Sequence, residues 1–318
     1  MQTMVVEPVT FTSVRAVPNR RRPLREWLSG ILPQLVLAPS LLASFIYVFV
    51  FCGWTIWISV SNSSLLPDYS WSGFHHYVEL WGNARWRIAY TNLFLFGSLY
   101  VVGTMAIGLL LAILIDQRIR AEALWRTIYL YPLAISFIVT GTVWRWLLSP
   151  STGIESLIRH WGWTSFKFDW LVNREMAIYT VVIIGIWQAS GFVMALFLAG
   201  LRSVDPDLVK AAQIDGASMP RIYRRIILPA IGPIFVAVLV VLLQSAIKIF
   251  DLVVALTGGG PGIATTVPSI YVYDLIFQRG QMAEGAAAAM MILFALSFVL
   301  VPYTIWSNWR LRREASRG

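Results

Sequence analysis

Residues 201–229 read LRSVDPDLVKAAQIDGASMPRIYRRIILP and separate two long apolar runs of the chain. Asp205 followed by Pro206 is a helix-start signal, because the carboxylate can cap free amide groups and proline suits the first helical position. The pattern predicts a short helix that runs to about Asp215, where Gly216 supplies a stop or a tight turn. A connection with such signals is predicted to be ordered rather than a flexible linker.

The second half of this loop is basic. It begins near Pro220, carries Arg221, Arg224 and Arg225, and ends at Pro229. Small residues at the centre of the loop would let the surface of another protein approach the main chain closely. Two interpretations stay open from the residues alone. The loop docks onto a partner protein, or its amphipathic part lies on the membrane with its arginines on lipid phosphates.

Composition indicates a membrane protein. Of the 318 residues, 58% are apolar and 13% are charged, whereas a soluble domain is about 45–50% apolar and about a quarter charged. The single cysteine, Cys52, excludes a disulfide framework. The net charge of +9 resides in the short segments between apolar runs, which is the pattern of topology signals, so we predict no nucleic-acid partner.

A helix needs about 20 apolar residues to cross the hydrocarbon core of a bilayer. The sequence therefore predicts an all-α membrane protein with about six transmembrane helices. The third is the weakest, because it contains Pro132 and Arg145, and the fifth is interrupted at its far end by Lys248 and Asp251. The six predicted spans cover about 34–60, 92–115, 127–148, 177–200, 230–250 and 285–307.

Basic residues are distributed asymmetrically between the two sides. With the N-terminus inside, the cytoplasmic segments carry 17 Lys and Arg residues and the outer loops carry six. The positive-inside rule then predicts that both termini are cytoplasmic. We expect a cytoplasmic tail over 1–30, a transmembrane domain over 31–309 that contains the loop 202–229, and a second cytoplasmic tail over 310–318.

The outer loops are rich in aromatic residues, which fits either an interfacial belt or a docking surface for an external partner. The adjacent His75 and His76 are the candidates for metal binding. No third ligand is spaced to help them, so the sequence predicts no metal site. The aromatic residues are Trp71, Phe74, Tyr77, Trp161, Trp163, Phe166 and Trp170.

The loop between the fourth and fifth spans resembles the EAA signature of binding-protein-dependent ATP-binding-cassette importers. That signature reads Glu-Ala-Ala, three residues, Gly, nine residues and Ile-x-Leu-Pro, and the sequence departs from it only where Lys210 takes the place of Glu. Lysine forms helices about as well as glutamate, so we expect the helix to persist. The matching positions are Ala211, Ala212, Asp215, Gly216, Ile226, Leu228 and Pro229.

The wider chain is similar to permease subunits of the carbohydrate-uptake subfamily, which have six spans with this signature between the fourth and the fifth. The segments 186–192, 211–218 and 248–262 are most similar to glucose/mannose importer permeases, and 127–132 also matches the subfamily. The resemblance implies the type I importer permease fold and import of a sugar through a bacterial inner membrane.

The same resemblance implies the partners. The loop 205–229 would be a coupling helix that seats in a groove of a separate ATPase dimer, which would hold ATP and Mg. A second permease subunit would complete a heterodimer, and an extracytoplasmic sugar-binding protein would deliver the cargo. The chain itself is expected to hold no cofactor, because no Walker motif occurs, and 258–262 lacks the Gly-Lys-Ser/Thr of a phosphate loop.

Polar groups inside spans are costly, so they are candidates for a substrate path. The fourth and fifth spans together carry aromatic rings for the apolar face of a sugar and amide and hydroxyl groups for its hydroxyls. A different interpretation also stays open, in which Lys248 and Asp251 form an intramembrane ion pair and Gln244 bonds between helices. The candidates are Trp187, Gln188, Phe192, Gln244, Ser245, Lys248 and Asp251, and the family's contacts align near Ala189, Ala246 and Ile249 as well.

Two other classes compete with a permease. An ion-coupled secondary sugar transporter usually has more spans, repeated halves and buried carboxylates, whereas the six predicted spans contain no acidic residue other than Asp251 at the interrupted end of the fifth. A membrane enzyme would need a catalytic constellation. We find no catalytic residues, and the histidines His75, His76 and His160 all lie in outer loops.

Overall fold

The computed structural model describes residues 24–117 and 119–315, and within these ranges the chain forms helices and one isolated antiparallel bridge, between Ser61 and Trp71. A 3-10 turn covers Tyr131–Ala134, and π-helical turns cover Tyr223–Ile227 and Asp274–Gln278. The α-helices in chain order are α1 (Leu24–Ser59), α2 (His75–Gly82), α3 (Ala84–Asp116), α4 (Glu122–Leu130), α5 (Phe137–Leu147), α6 (Ile154–His160), α7 (Ala177–Ser203), α8 (Pro206–Ile214), α9 (Met219–Ile222), α10 (Leu228–Ala230), α11 (Gly232–Ile247), α12 (Phe250–Leu256), α13 (Pro268–Tyr273) and α14 (Met282–Ala315).

The chain divides into two compact units, one up to Trp54 and one from Thr55 onward. The first unit is the greater part of α1, which begins at Leu24 and thus inside the predicted tail 1–30. At the other end, α14 continues to Ala315 through most of the predicted tail 310–318. The remaining tail residues, 1–23 and 316–318, lie outside the described residues. Apart from the first span, all features discussed below belong to the second unit.

Four helices of the described chain are long and apolar enough to cross a membrane, and the number becomes six if each of two bent helix pairs counts as one span. This agrees with the predicted number. The four continuous spans are Val36–Ser59, Ala84–Asp116, Ala177–Ser203 and Met282–Ile305.

The prediction of one continuous helix over 127–148 is wrong. The two parts of this span, Glu122–Ala134 and Phe137–Leu147, meet at 97°. Ile135 is extended at the corner, with φ −89° and ψ 133°. Ser136 then starts the next helix, because its hydroxyl oxygen accepts a hydrogen bond from the Val139 amide at 3.3 Å. Pro132, in the 3-10 turn just before the corner, lacks an amide hydrogen and so cannot extend the α-helical ladder.

The fifth span is also bent. The segment Met219–Ala230 meets α11 at 66°, and Pro233 lies in the first turn of α11. At its far end α11 stops at Ile247 with Lys248 as its C-cap, and a separate helix, α12, begins at Phe250. The interruption predicted at this end of the span is therefore confirmed.

The core of the second unit lies between α3 and α7. Glycine allows these two helices to approach closely: a Cβ added to Gly108 would lie 2.6 Å from a methyl carbon of Val193. Phe96 and Tyr100 of α3 stack at a centroid distance of 5.1 Å beside α7, and Phe197 of α7 is fully buried. Small-residue packing of this kind suits spans, which gain little from the hydrophobic effect in lipid. The C-terminal ends of α3 and α7 are thus held together by the core.

Candidate functional site

The predicted docking helix is present. Asp205 is its N-cap and accepts a hydrogen bond from the Asp207 amide at 2.8 Å, and Pro206 occupies the first helical position. The helix α8 ends at Ile214, and Gly216 adopts φ +77°, in the left-handed region that favours glycine. Start and stop signals in the sequence therefore predicted both ends of this helix correctly.

One face of α8 packs on the protein and the other is exposed. Val209 and Ala212 pack against the main hydrophobic core. On the exposed side Ile214 has 86% of its surface accessible, and Lys210 pairs with Asp207 at 2.9 Å between Nζ and Oδ1. Lys210, which replaces the glutamate of the signature, is thus held within its own helix. An isoleucine exposed to this extent is a candidate contact for a partner protein.

The second half of the signature packs into the core and so anchors the loop to the membrane-spanning helices. Ile222 and Ile227 are buried, and Ile226 and Leu228 pack against the same core. The hydroxyl of Tyr223 donates a hydrogen bond to Asp116 Oδ2, at the end of α3, at 3.1 Å. The helix α8 is therefore presented on a segment that is fixed to the membrane-spanning core.

An ionic cluster joins the loop to three helix ends. Arg202, in the last turn of α7, lies 2.9 Å from Glu122 Oε1 at the start of α4 and 3.7 Å from Asp116 Oδ1 at the end of α3. Arg126 pairs more loosely with Glu122, at 3.7 Å. The carboxylate of Asp116 thus interacts with both Arg202 and Tyr223. The cluster connects the loop 205–229 to the bent third span. We call Asp116, Glu122, Arg202 and Tyr223 the ionic cluster.

Sequence analysis missed this cluster. In the sequence, Arg202 contributes only to the charge asymmetry that predicts orientation, and no local spacing links it to Asp116 or Glu122. The available signal was an acidic residue at each of two neighbouring span ends, Asp116 and Glu122, opposite a basic residue at a third. Such a signal identifies candidates, but their pairing depends on how the span ends meet in space.

Of the path candidates on α7, Gln188 is buried, with 3% of its surface accessible. Its Nε2 donates a hydrogen bond to the carbonyl of Ile135 at 2.8 Å, at the corner of the third span. Its Oε1 is buried without a hydrogen-bond partner among the described residues. Phe192, one turn later, is half-buried and packs against the core. The amide of Gln188 thus has one structural bond and one free acceptor.

The side chain of Trp187 lines an apolar cleft between α3, the start of the third span and α7. Its ring lies 5.5 Å from that of Trp144 in an edge-to-face arrangement. The cleft has a volume of about 460 Å³. It is lined by Ile107, Leu111, Ile128, Tyr129, Pro132, Ile183, Ile186, Trp187 and Ser190.

The candidates on the fifth span lie near the break between α11 and α12. Ser245 donates its hydroxyl to the carbonyl of Val241 at 3.0 Å, and Lys248 and Asp251 are exposed. Within the described chain, no ion pair joins Lys248 to Asp251 and no side-chain hydrogen bond is recorded for Gln244. The described residues therefore give no support to the interpretation of an intramembrane ion pair and an interhelical hydrogen bond from Gln244. Likewise, no recorded hydrogen bond or ring contact within the described chain joins this set to the set on α7.

The histidine pair has a neighbour that sequence analysis overlooked. His75 and His76 open α2, and Glu79 lies one turn after His75, with 3.4 Å between His75 Nδ1 and Glu79 Oε2. One ligand atom from each of the three residues lies within 4.8 Å of the others. The statement that no third ligand is spaced to help is therefore wrong, because residues four apart share a helix face.

Residues 104–306 match the model of the binding-protein-dependent transport system inner membrane component family. The chain belongs to this family. A probable ABC transporter permease of Pyrococcus horikoshii is 37% identical over 275 residues, which cover 86% of this chain and 94% of that protein. The xylose/arabinose import permease of Haloferax volcanii is 36% identical over 242 residues, covering 74% of this chain and 75% of that protein.

A solved structure agrees with this assignment. The crystal structure of a bacterial ABC transporter involved in the import of the acidic polysaccharide alginate contains a chain that superposes with a TM-score of 0.73 at 26% identity, covering 91% of this chain and 99% of that chain. The predicted resemblance and the type I importer permease fold are therefore confirmed for this inner membrane component. The cytoplasmic location of both termini stays a prediction.

Proposed function

We propose that this permease imports a sugar and that the segment 205–229 couples it to a separate ATPase. A relative with 36% identity is a xylose/arabinose import permease, and the glucose/mannose-like segments of the sequence favour a monosaccharide or a related oligosaccharide. The observation that carries the coupling proposal is the position of α8: an exposed helix, with Ile214 at its outer side, on a base fixed to three span ends.

The geometry supports transmission by rigid-body motion. A force applied to α8 reaches the core through Val209 and Ala212, and it reaches the third span through Arg202 and Glu122. Closure of an ATPase dimer beneath this loop would therefore move the ends of α3, α4 and α7 together. Packed interfaces of this kind switch between discrete arrangements rather than deforming continuously, as alternating access requires.

The proposal includes partners that this chain does not contain. ATP and Mg would bind to the ATPase dimer, a second permease subunit would form the heterodimer, and an extracytoplasmic binding protein would supply the sugar, in a bacterial cytoplasmic membrane. The exposed Arg221, Arg224 and Arg225 of the docking loop are placed to contact lipid phosphates at that membrane's inner surface. The path candidates on α7 and on α11 and α12 would contact the sugar.

The test is ATP-driven uptake of labelled glucose into vesicles that contain the complete transporter. Gly216→Pro should abolish uptake, because proline cannot adopt φ +77° and removes the amide that donates to Gln213 O at 3.0 Å. Gly162→Pro is a matched control in an outer loop: this glycine also has a positive φ, +107°, and its amide donates to Arg159 O at 3.1 Å.

Uptake that survives Gly216→Pro, or falls equally in both variants, would contradict coupling through this loop. Uptake that needs an ion gradient and no ATP would instead establish an ion-coupled secondary sugar transporter. Competition by unlabelled glucose, mannose, xylose and arabinose then identifies the sugar class.

A further inference from the structure

The first two turns of α2 contain two imidazoles and one carboxylate that no transport role uses. We propose that His75, His76 and Glu79 form a zinc-binding site on the outer loop. Imidazole nitrogen together with carboxylate oxygen is a donor set that favours zinc over calcium or magnesium, which prefer oxygen ligands alone. We name these three residues the outer triad.

The distances fit a tetrahedral ion. Two donor atoms that each lie 2.0–2.1 Å from a tetrahedral zinc are about 3.4 Å apart. His75 Nδ1 and Glu79 Oε2 are 3.4 Å apart without any rearrangement. One ligand atom from each of the three residues lies within 4.8 Å of the other two, and rotation of the exposed His75 and Glu79 side chains can shorten these separations.

The imidazole ring of His76, the third ligand, is oriented by a residue outside the triad. His76 Nε2 lies 3.0 Å from the carbonyl oxygen of Ser61. Because a carbonyl can only accept, Nε2 carries the hydrogen, and Nδ1 keeps the lone pair that a metal ion needs. Metal-binding histidines commonly donate their second ring nitrogen to a carbonyl in this way, which fixes the tautomer and the ring orientation. Ser61 in turn forms the bridge with Trp71.

The surrounding charges allow a cation. Beside Glu79, the carboxylate of Glu284 lies close enough to interact electrostatically with Glu79 and His76. Arg279 also interacts with Glu284, and Arg85 is paired with Asp274. Of these described groups, Glu79 and Glu284 are acidic and Arg279 is basic, while the charge of Arg85 is balanced by Asp274. An ion held here would join α2 to the loop at Ser61 and leave its remaining coordination position to water.

The experiment is calorimetric titration of zinc into the purified full-length chain in detergent, carrying no histidine tag and stripped of metal beforehand. We expect one ion per chain, and at least about tenfold weaker binding in His75→Ala, His76→Ala and Glu79→Gln. His160→Ala is the matched control, because His160 is an exposed histidine on the separate helix α6, and its affinity should be unchanged.

Cobalt provides a second readout that does not depend on variants. Cobalt bound at the site should show the intense visible absorption of a tetrahedral ion, which excess zinc should remove. The proposal is overturned by any one of three results: titration without saturable binding, binding that persists in His76→Ala, or equal weakening in His160→Ala.

Discussion

The side-chain amide of Gln188 donates a hydrogen bond to the main-chain carbonyl of Ile135 at 2.8 Å, so that α7 satisfies a group exposed by the corner of the neighbouring span. A main-chain carbonyl in lipid has no water to bond with, and a broken span is tolerated where protein groups replace the missing helical partner. The glutamine first identified as a candidate for sugar binding therefore has a structural role that is independent of any sugar.

We predict that Gln188→Leu lowers the stability of the protein. The substitution leaves the partly buried carbonyl of Ile135 without its partner, which costs about 1–3 kcal/mol. Thermal unfolding in detergent measures the change. Gln244→Leu is the matched control, since the side chain of Gln244 makes no recorded hydrogen bond within the described chain, and its melting temperature should stay close to that of the unaltered protein. Equal losses in both variants would contradict a specific role for Gln188.

The ionic cluster should matter more for coupling than for folding. Arg202→Gln removes the contacts with Glu122 and Asp116. Because these side chains are partly exposed, the free energy of unfolding should fall by less than about 1 kcal/mol. ATP-driven uptake should fall about fivefold or more, the size of an ordinary coupling energy. Vesicle uptake and thermal unfolding are measured on the same preparation.

Two companion variants make this test specific. Arg126→Gln removes the looser 3.7 Å contact with Glu122 and should leave uptake nearly unchanged. The exchange of charges in Arg202→Glu with Glu122→Arg should restore part of the uptake. A loss of uptake that Arg126→Gln reproduces in full would mean that general charge, rather than this cluster, is responsible.

Ile214 should contribute to binding of the ATPase. Its side chain is 86% exposed, so Ile214→Ser removes almost no contact within the chain and should not change thermal stability. If Ile214 is buried by the partner, affinity for the purified ATPase subunit should drop about tenfold or more. Surface plasmon resonance measures the affinity. Leu66→Ser, at a residue that is 78% exposed in the segment between α1 and α2, should bind as the unaltered chain does.

Gly191 should be intolerant of any side chain. A Cβ at this position would lie 1.8 Å from the main-chain oxygen of Tyr129, so α4 and α7 would have to separate. Gly191→Ala should therefore destabilise the protein by about 1–3 kcal/mol, as overpacking does. At Gly232 no described atom lies within 4 Å of an added Cβ, and Gly232→Ala should be neutral or slightly stabilising in thermal unfolding.

Local sequence signals were sufficient to predict the helix α8 in the loop 205–229. The cap at Asp205, the proline after it and the left-handed Gly216 act within one or two turns of chain, and each is visible in the residues themselves. Glu79 could have been found in the same way, because its spacing from His75 is that of one helical turn. Helical spacing, rather than adjacency in the sequence, brings Glu79 beside the histidines.

The sequence by itself determined the class of the protein, the number of its spans and the place of the helix α8, because lipid requires long apolar helices and caps are local. Only the tertiary structure decided that the third span turns through 97° at Ile135, with Gln188 bonded at the corner. It also decided that Asp116, Glu122, Arg202 and Tyr223 meet beneath the core. These contacts join residues far apart in the chain, and hydropathy and capping patterns carry no information about which distant side chains will face each other.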